Sequence, residues 1–361
     1  MGKNKTIDKS KPVLVTGATG YVAGWLIKKL LDEGLTVHAA IRDPGQKEKI
    51  RHLEELAETS KGSIRFFAAD LLDIGSYARA MEGCELVFHT ASPFIAAVDD
   101  PQRELIEPAL LGTRHVLEQA NHTPTVQRVV LTSSVAALYG DNKDIEKVPN
   151  KIYTEDVWNT SSSVHHQAYS YSKTLAEKEA WEISRKQSQW DLVVINPSLV
   201  LGPALNSSAV TSESFRIFRQ FGDGTLKMGV PRIGFGVVDV RDLALAHFQA
   251  GFTPEAKGRH IVSGHNTWLH EMAEALLPEF GDRFPLPKRL LPKSIVWLAG
   301  PFINKAMTRK YVSRNVGYPF VADNTKSIRS LGISYRPLEE TLSDTFRQFV
   351  DCALFHPSKM S

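Results

Sequence analysis

The segment VLVTGATGYVAGW, residues 13–25, joins a short apolar run to a helical pattern through a glycine-containing turn. Gly17 and Gly20 permit a tight turn in which backbone amides approach a pyrophosphate, and the following helix presents its positive N-terminus to that charge. The spacing is Gly-x-x-Gly-x-x-Ala, in which Gly24 lies one place beyond the usual third glycine and Ala23 is small enough for close helix–sheet packing. Directly after a first strand, this turn predicts a dinucleotide-binding site.

Short β-rich runs alternate with helical patterns over the first two thirds of the chain. The predicted strands are 13–16, 36–41, 64–68, 85–91, 128–134 and 192–196, and the predicted helices lie near 21–33, 47–59, 74–82, 101–121 and 167–188. This alternation predicts a parallel sheet covered by helices on both faces. We therefore expect an α/β protein with a Rossmann-type doubly wound sheet over 12–200. Residues 201–361 should form mainly a smaller substrate-binding lobe, with some segments returning to the Rossmann domain and a last helix near 338–352.

Composition excludes several classes of protein. The formal net charge of +3 comes without a long block of one sign, which argues against nucleic acid or anionic membrane as a partner. Cys84 and Cys352 are the two cysteines, so neither a disulfide framework nor a metal motif is expected, and a reducing, cytoplasmic setting fits best. Residues 1–11 are polar and predict a disordered tail. The apolar stretch 295–303 is too short to span a membrane, and core packing is its default interpretation.

The end of the second strand bears on the choice between the two dinucleotides. Arg42 stands where an NAD site usually has a carboxylate, and a guanidinium suits the 2′-phosphate of NADP. Lys49 follows on the next helix and adds positive charge. Asp43 is the complication, because NAD becomes the better ligand if this carboxylate faces the ribose. NADP(H) is preferred, and NAD(H) stays open.

Polar residues also follow the later strands. Asp70 comes just after the third strand, where its carboxylate could accept from an adenine amine or simply cap a helix. The fourth strand leads into Thr90-Ala91-Ser92, at the sheet edge where open α/β sheets bind ligands. The fifth strand ends in two serines, of which either could hydrogen-bond a substrate carbonyl or the local backbone.

A helix predicted from residue 167 carries the most reactive pair. Tyr169 and Lys173 are four residues apart and so share a face of that helix. An ammonium group next to a phenol lowers the phenol's pKa from about 10, and such a tyrosine can exchange a proton with a carbonyl oxygen. Taken alone, however, the pair is more often a half-buried tyrosine with a solvated lysine one turn away.

The combination of motifs resembles the extended short-chain dehydrogenase/reductases. It is similar to the branch that contains dihydroflavonol reductase, cinnamoyl-CoA reductase and yeast methylglyoxal reductase. The resemblance runs from about residue 12 to 350 and rests on TGATGYVAGW, FHTASP at 88–93, PALLGT at 108–113, LTSS at 131–134, YSYSK at 169–173, NPSLVLGP at 196–203 and VDVRD at 238–242.

The resemblance implies a role for each matching residue. Tyr169 would donate the proton, Lys173 would lower its pKa and hold the nicotinamide ribose, and Ser134 would polarise the carbonyl. The implied cofactor contacts are Gly17, Thr19, Gly20, Tyr21 and Val22 at the pyrophosphate, Arg42 and Lys49 at the 2′-phosphate, Asp70 and Leu71 at the adenine, Thr90, Ala91 and Ser92 along the dinucleotide, and Pro197, Leu199, Val200 and Ser212 near the nicotinamide.

Two departures narrow the implied activity. The chain has HQAYSYSK where cinnamoyl-CoA reductases carry NWYCYGK, which argues against a CoA thioester as substrate. It has Pro108-Ala109 where epimerases and dehydratases of the superfamily typically carry asparagine. We therefore expect an NADPH-dependent reductase of a small to medium aldehyde or ketone.

The substrate pocket and the competing functions are less defined by the sequence. Phe94, Tyr139, His165 and His166 are candidate walls of the substrate pocket, although the two histidines also fit a solvated loop pair. The alternatives are an NAD-dependent epimerase or dehydratase, a hydroxysteroid-type dehydrogenase and a non-catalytic dinucleotide sensor. The expected partner is a small molecule, and homodimerisation stays open.

Overall fold

Seven parallel strands form the central sheet in the computed structural model, which describes residues 5–92, 99–206, 215–303 and 307–355. In chain order the described strands are β1 (Val13–Thr16), β2 (Thr36–Ile41), β3 (Ser63–Ala68), β4 (Leu86–His89), β5 (Arg128–Thr132), β6 (Asp191–Pro197), β7 (Leu199–Leu201), β8 (Val230–Pro231), β9 (Gly234–Asp239), β10 (Gly258–Val262), β11 (His265–Trp268) and β12 (Leu290–Leu291). The central sheet has the order β3-β2-β1-β4-β5-β6-β10, and all its neighbouring pairs are parallel. This order confirms the predicted Rossmann-type α/β fold.

Helices connect the strands and cover both faces of the sheet. The described α-helices are α1 (Tyr21–Asp32), α2 (Lys47–Thr59), α3 (Ala78–Met81), α4 (Glu107–Asn121), α5 (Ala168–Arg185), α6 (Arg216–Gly222), α7 (Val240–Phe252), α8 (Leu269–Phe280), α9 (Lys293–Ile303), α10 (Arg309–Asn315), α11 (Thr325–Leu331) and α12 (Leu338–Asp351). On one face α1 and α7 pack their apolar stripes on the sheet, and on the other α4 and α5 do so. Strand order reverses between β1 and β4, and the crevice at this point is where such sheets bind ligands.

Two predicted helices differ from the structure for local reasons. The helix expected near 74–82 is reduced to Ala78–Met81, because Gly75 has a positive φ of 79° that a right-handed helix does not admit. The helix expected over 101–121 begins as a π-helix at Gln102–Ile106 and becomes regular at Glu107. Pro108, which has no amide hydrogen to donate within a helix, lies at the junction of the two parts.

The seventh strand of the sheet, β10, was not predicted from the sequence. Its residues Gly258–Val262 pair with β6, although the segment carries Arg259 and His260, two residue types that usually mark a surface. Both side chains are buried, and Arg259 forms an ion pair with the buried Glu177. Because its charged side chains are buried as part of an ion pair, this strand lacks the apolar pattern by which buried strands are predicted.

The second half of the chain also builds a smaller unit beside the sheet. It contains a three-stranded sheet of order β11-β9-β7 and a pair β12-β8. Its core is rich in phenylalanine, and α12 packs there against α8. The predicted terminal helix is thus present, at Leu338–Asp351.

The tail expected before residue 12 is wrong for the part that the structure describes, residues 5–11. Ile7 is 5 % exposed and belongs to the same apolar cluster as α1 and α7. The amide of Asp8 donates to Glu85, and the Lys9 ammonium lies 5.2 Å from the ring centroid of Phe248. One buried apolar side chain and these two contacts therefore hold the polar segment against the rest of the protein.

Helix α9 contains the apolar stretch 295–303. Core packing is wrong for Ile295, Leu298 and Phe302, which are 52 %, 61 % and 83 % exposed, whereas Val296 and Gly300 face inward. Within the described ranges, the helices are all too short or too polar to cross a bilayer. The stretch thus presents an apolar outer face, and its inner face borders a cavity.

Candidate active site

The glycine turn after β1 has the geometry that a dinucleotide requires. Gly17 has φ +64°, and a Cβ there would lie 2.9 Å from Ala91 Cα, so only glycine fits. Gly20 precedes α1, and a Cβ there would lie 3.1 Å from the Gly17 carbonyl oxygen. No side chain caps the start of α1, which leaves the first amides of the helix to an anion. The residues present therefore fit a pyrophosphate.

Three more residues of this turn were predicted to contact the cofactor. Thr19 lies within the turn and is half-buried. The Tyr21 hydroxyl donates to the Gly202 carbonyl oxygen at 2.7 Å, so the phenol points to the smaller unit and only the Tyr21 amide stays at the turn. Val22 lines the cavity at the sheet edge.

Arg42 and Asp43, the two charged residues that follow β2, differ in their contacts. Asp43 accepts from the Gly45 amide at 2.8 Å and from the Gln46 side chain at 3.1 Å, and these hydrogen bonds lower the pKa of its carboxyl. The carboxylate is thus engaged by its own loop. Arg42 and Lys49 are both exposed at this edge.

The ends of β3 and β4 complete the crevice. Asp70 accepts from the Leu72 amide at 2.8 Å, as a residue capping a turn does. Leu71 packs on α4 beside Gly112, where a Cβ would lie 3.1 Å from the Leu71 side chain. Thr90 donates to the carbonyl oxygen of Thr16, and the Ala91 amide donates to the Thr16 hydroxyl at 3.0 Å. These bonds fix the end of β4 against the glycine turn.

The three predicted catalytic side chains meet at one cavity of ≈ 380 Å³. Ser134 and Tyr169 are hydrogen-bonded to each other, and Lys173 Nζ lies 6.0 Å from the centroid of the Tyr169 ring. The Lys173 ammonium donates to Ser92 Oγ at 3.0 Å, which ties α5 to the end of β4. The same cavity is lined by Val22, Tyr139, Pro197, Leu199 and Val200, all of which the sequence had singled out.

The predicted lowering of the tyrosine's pKa is wrong for this structure. Burial raises the pKa of Tyr169 to about 12, and the hydrogen bond with Ser134 opposes this only in part. The expectation assumed that Lys173 would act on the phenol directly, but its ammonium bonds Ser92 instead. The phenol is therefore protonated at neutral pH.

The pKa of Lys173 is shifted in the opposite direction, below its ordinary value. Burial lowers the pKa of its ammonium to about 8, and the negative charge of Glu177 opposes the shift. The group thus keeps its proton at neutral pH but loses it in a range where an ordinary lysine, with a pKa of about 10.4, does not.

Behind the catalytic side chains lies a buried polar network that the sequence did not reveal. Glu177 accepts from Ser133 Oγ at 2.6 Å, from Asn196 Nδ2 at 2.8 Å and from Arg259 Nε at 2.6 Å. Asn196 also donates to the Ser134 carbonyl oxygen at 3.1 Å, so the network holds the strand end that carries the catalytic serine. Glu177 stands four residues after Lys173, and this helical spacing was the signal that could have revealed it.

His165 and His166 are not among the residues that line the cavity. His165 is exposed. His166 Nε2 lies 2.7 Å from Asp141 Oδ2, its side chain is 9 % exposed, and the solvated-pair interpretation is therefore wrong for it as well. Arg314, Asn315 and Gln167 also donate to the buried Asp141.

This Asp141 cluster fixes the start of α5. Gln167, the residue before the helix, is in the left-handed region with φ +56°, a conformation that costs energy and is held in place by its bond to Asp141. Burial works to raise the pKa of Asp141, yet its four donors, His166 and Arg314 foremost, bring the pKa below the usual value. The Asp141 carboxyl is thus ionised at neutral pH, and the cluster positions Tyr169, two residues after Gln167.

Several walls of the cavity come from far along the chain. Ile233 and Phe235 from the β8–β9 region and Tyr311 and Asn315 from α10 all line it. No motif marked these residues, because only the tertiary fold brings them to the sheet edge. Two predicted site residues, Phe94 and Ser212, lie outside the described residues.

Comparisons with known proteins agree with this geometry. Residues 13–264 match the family described as NAD dependent epimerase/dehydratase. Cinnamoyl-CoA reductase CAD2 of Medicago truncatula is 36 % identical over 336 residues, which are 92 % of this chain and 94 % of that protein. Dihydroflavonol 4-reductase of Gerbera hybrida is 33 % identical and covers 77 % of this chain and 75 % of its own.

A solved structure extends the similarity to nearly the whole chain. Yeast methylglyoxal/isovaleraldehyde reductase Gre2, complexed with NADPH, has a TM-score of 0.75 at 26 % identity. The alignment covers 94 % of this chain and 98 % of that one.

A Rossmann sheet with a glycine turn and a serine, a tyrosine and a lysine at one edge defines an NAD(P)-dependent oxidoreductase. The family match over residues 13–264 then identifies the protein family. The chain belongs to the NAD-dependent epimerase/dehydratase family, the extended short-chain dehydrogenase/reductases.

Proposed function

We propose that this protein is an NADPH-dependent reductase of aldehydes or ketones. The observation that carries the proposal is the hydrogen-bonded pair of Ser134 and Tyr169 at the cavity wall, with the Lys173 ammonium beside it. Two observations on similar proteins support it. The relatives have the names of reductases, and the yeast enzyme was solved in complex with NADPH.

The dinucleotide would be held along the edge of the sheet. When bound, the nicotinamide supplies the hydride that reduces the carbonyl carbon. The residues that would hold the cofactor are Gly17, Thr19, Gly20, Tyr21 and Val22 at the pyrophosphate, Arg42 and Lys49 at the 2′-phosphate, Asp70 and Leu71 at the adenine, Thr90, Ala91 and Ser92 along the path, Lys173 at the ribose, and Pro197, Leu199 and Val200 behind the nicotinamide.

Ser134 and Tyr169 act on the substrate's oxygen. Both residues line the cavity and their side chains are hydrogen-bonded to each other, so a carbonyl oxygen placed beside the pair would accept a hydrogen bond from each hydroxyl. Negative charge grows on this oxygen as the carbon is reduced, and the Tyr169 O–H bond then breaks to give the alcohol. The phenolate left behind keeps its hydrogen bond with Ser134, the interaction that favours the ionised phenol in this structure. A phenol that is protonated at neutral pH suits this direction of reaction, because reduction consumes the proton.

The test of the proposed function is a cofactor titration followed by a substrate panel. The purified protein is titrated with NADPH and NADH, and aldehydes and ketones are then added while the absorbance of the reduced nicotinamide is followed. We expect substrate-dependent consumption of NADPH. A firmly retained NAD together with no consumption of NADPH would instead support the epimerase or dehydratase alternative.

Arg42→Ala should weaken NADPH binding by about 10- to 100-fold and leave NADH binding nearly unchanged. The physical reason is the loss of a charge-assisted hydrogen bond to the 2′-phosphate, which is worth about 1.5–3 kcal/mol. Fluorescence titration of the two reduced cofactors measures both affinities. Arg51→Ala removes an exposed cation of α2 that pairs with Glu55 and serves as the control. Equal losses for both cofactors would contradict the assignment of Arg42.

NADPH affinity should fall as the pH rises through about 8. The folded pKa of Lys173, about 8, lies below the ordinary lysine value, so the ammonium is present below pH 8 and lost above it. Its bond to the ribose weakens with the charge, and we expect an affinity loss of about tenfold or more between pH 7 and 10. The dissociation constant of NADPH as a function of pH tests this.

Lys173→Met provides the comparison for that pH profile. This variant should bind NADPH weakly at pH 7 and show little further change up to pH 10. Lys178→Met, at an exposed position of the same helix, should keep the wild-type profile. A wild-type affinity that is flat from pH 7 to 10 would refute the role given to Lys173.

A further inference from the structure

A second cavity, of ≈ 650 Å³, lies beside the one that contains Tyr169. Its lining is mainly apolar and includes Leu226, Leu269, Val296 and Ala299, with Arg216 and Gln220 as polar members. The volume falls within the roughly 300–1,000 Å³ typical of small-molecule sites. We call this space the tail chamber.

A single layer of side chains separates the tail chamber from the catalytic cavity. Ile233, Phe235 and Tyr311 line both spaces. None of the three carries a charge at neutral pH, since burial raises the pKa of the Tyr311 phenol. A ligand that extends past Tyr169 toward this wall therefore meets an uncharged surface, which favours an apolar group over a charged one.

The far side of the tail chamber reaches the protein surface at an apolar rim. Met228 and Ile295 line the chamber and are 75 % and 52 % exposed. Helix α9 contributes Val296, Ala299 and Gly300 to the lining from its inner face and Ile295 at the rim. Large apolar side chains at a cavity rim are unfavourable in water and favour apolar ligands.

We propose that the tail chamber receives the apolar tail of the substrate whose carbonyl lies between Ser134 and Tyr169. The inference rests on the proposed function. It assigns the substrate to a class: aldehydes or ketones that carry a long, uncharged hydrocarbon or ring system, rather than small carbonyl compounds. Phe235 and Tyr311 line both cavities and then act as the specificity-determining wall, because the tail must contact them to enter the chamber.

The first test is a series of straight-chain aldehydes from butanal to decanal with saturating NADPH. Each buried CH₂ should raise kcat/KM by about fourfold, which corresponds to about 0.8 kcal/mol, until the chamber is filled. Values that do not depend on chain length would overturn the proposal while leaving the reductase function intact.

Two neighbouring positions of α9 supply a matched pair of variants. Ala299→Phe fills the tail chamber and should lower kcat/KM for decanal at least tenfold while leaving butanal within about twofold. Leu298→Phe changes the next residue, which is 61 % exposed and outside the lining, and should leave both substrates unchanged. Equal effects of Ala299→Phe on the two aldehydes would count against the chamber.

Equilibrium binding separates failure of the chamber from failure of the proposed function. Calorimetry with butan-1-ol and decan-1-ol needs no turnover, and decan-1-ol should bind at least a hundredfold more tightly to the wild type but not to Ala299→Phe. If decan-1-ol shows this tighter binding while no aldehyde causes NADPH consumption, binding in the tail chamber is supported and the reductase assignment is contradicted. If decan-1-ol binds no better than butan-1-ol, the chamber is refuted whatever the kinetics.

Discussion

Tyr169→Phe is expected to lower kcat for carbonyl reduction by about 10²- to 10⁴-fold, the usual contribution of a positioned general acid. The substitution removes one oxygen atom, so the ring stays in place on α5 beside Lys173. What is lost is the proton that neutralises the oxygen of the substrate, together with one of its two hydrogen bonds. NADPH affinity should stay within about threefold of the wild type. Steady-state turnover and a fluorescence titration of NADPH measure the two quantities.

Tyr171→Phe is the control for this experiment. It makes the same chemical change two residues further along the same helix, at a side chain outside the cavity lining. Turnover in the Tyr171 variant should be unchanged. A Tyr169→Phe enzyme that turns over at the wild-type rate would remove the tyrosine from the mechanism and with it the proposed proton donor.

Local spacing predicted the parts of the site that depend on local geometry. The glycine turn required one strand, one turn and one helix in sequence, and the pair Tyr169–Lys173 required only the repeat of an α-helix. Both are present in the structure. The predicted strands and helices of the first 200 residues also correspond to observed elements, apart from their ends.

Burial and long-range pairing were the limits of prediction. The sign of the pKa shift of Tyr169 depends on how much of the phenol is removed from water, and on Ser92 being the partner of Lys173. Neither follows from spacing along one helix. The walls contributed by Ile233 and Tyr311 lie at least 60 residues from the catalytic tyrosine in the chain, and no motif connects them.

The two histidines His165 and His166 also show that long-range contacts could not be predicted from the sequence. His166 was weighed as a pocket wall or a solvated loop residue, and it is a partner of the buried Asp141. That carboxylate collects donors from the loop before α5 and from α10. It therefore connects a wall of the cavity to the helix that carries Tyr169.

The buried carboxylate of Glu177 gives the largest expected effect on stability. Its side chain is fully buried, and Arg259, 6 % exposed, pairs with it at 2.6 Å. Glu177→Ala leaves the guanidinium buried without its counter-charge and removes the acceptor of Ser133 and Asn196. Breaking one side of such a pair costs about 3–5 kcal/mol of unfolding free energy. The urea midpoint of unfolding, with and without NADPH, measures the loss.

Glu179→Ala is the matched control, two residues away on the same helix. Glu179 pairs with the part-exposed Arg114 at 2.7 Å, and a pair of this kind is worth at most about 1 kcal/mol. Glu177→Gln keeps the shape without the charge and should fall between the two alanine variants in stability. Its kcat should also fall, because Asn196 then orients the Ser134 backbone less firmly, whereas Glu179→Ala should keep full activity. If Glu177→Ala unfolds at the same urea concentration as Glu179→Ala, the network behind the catalytic serine does not hold this edge of the sheet.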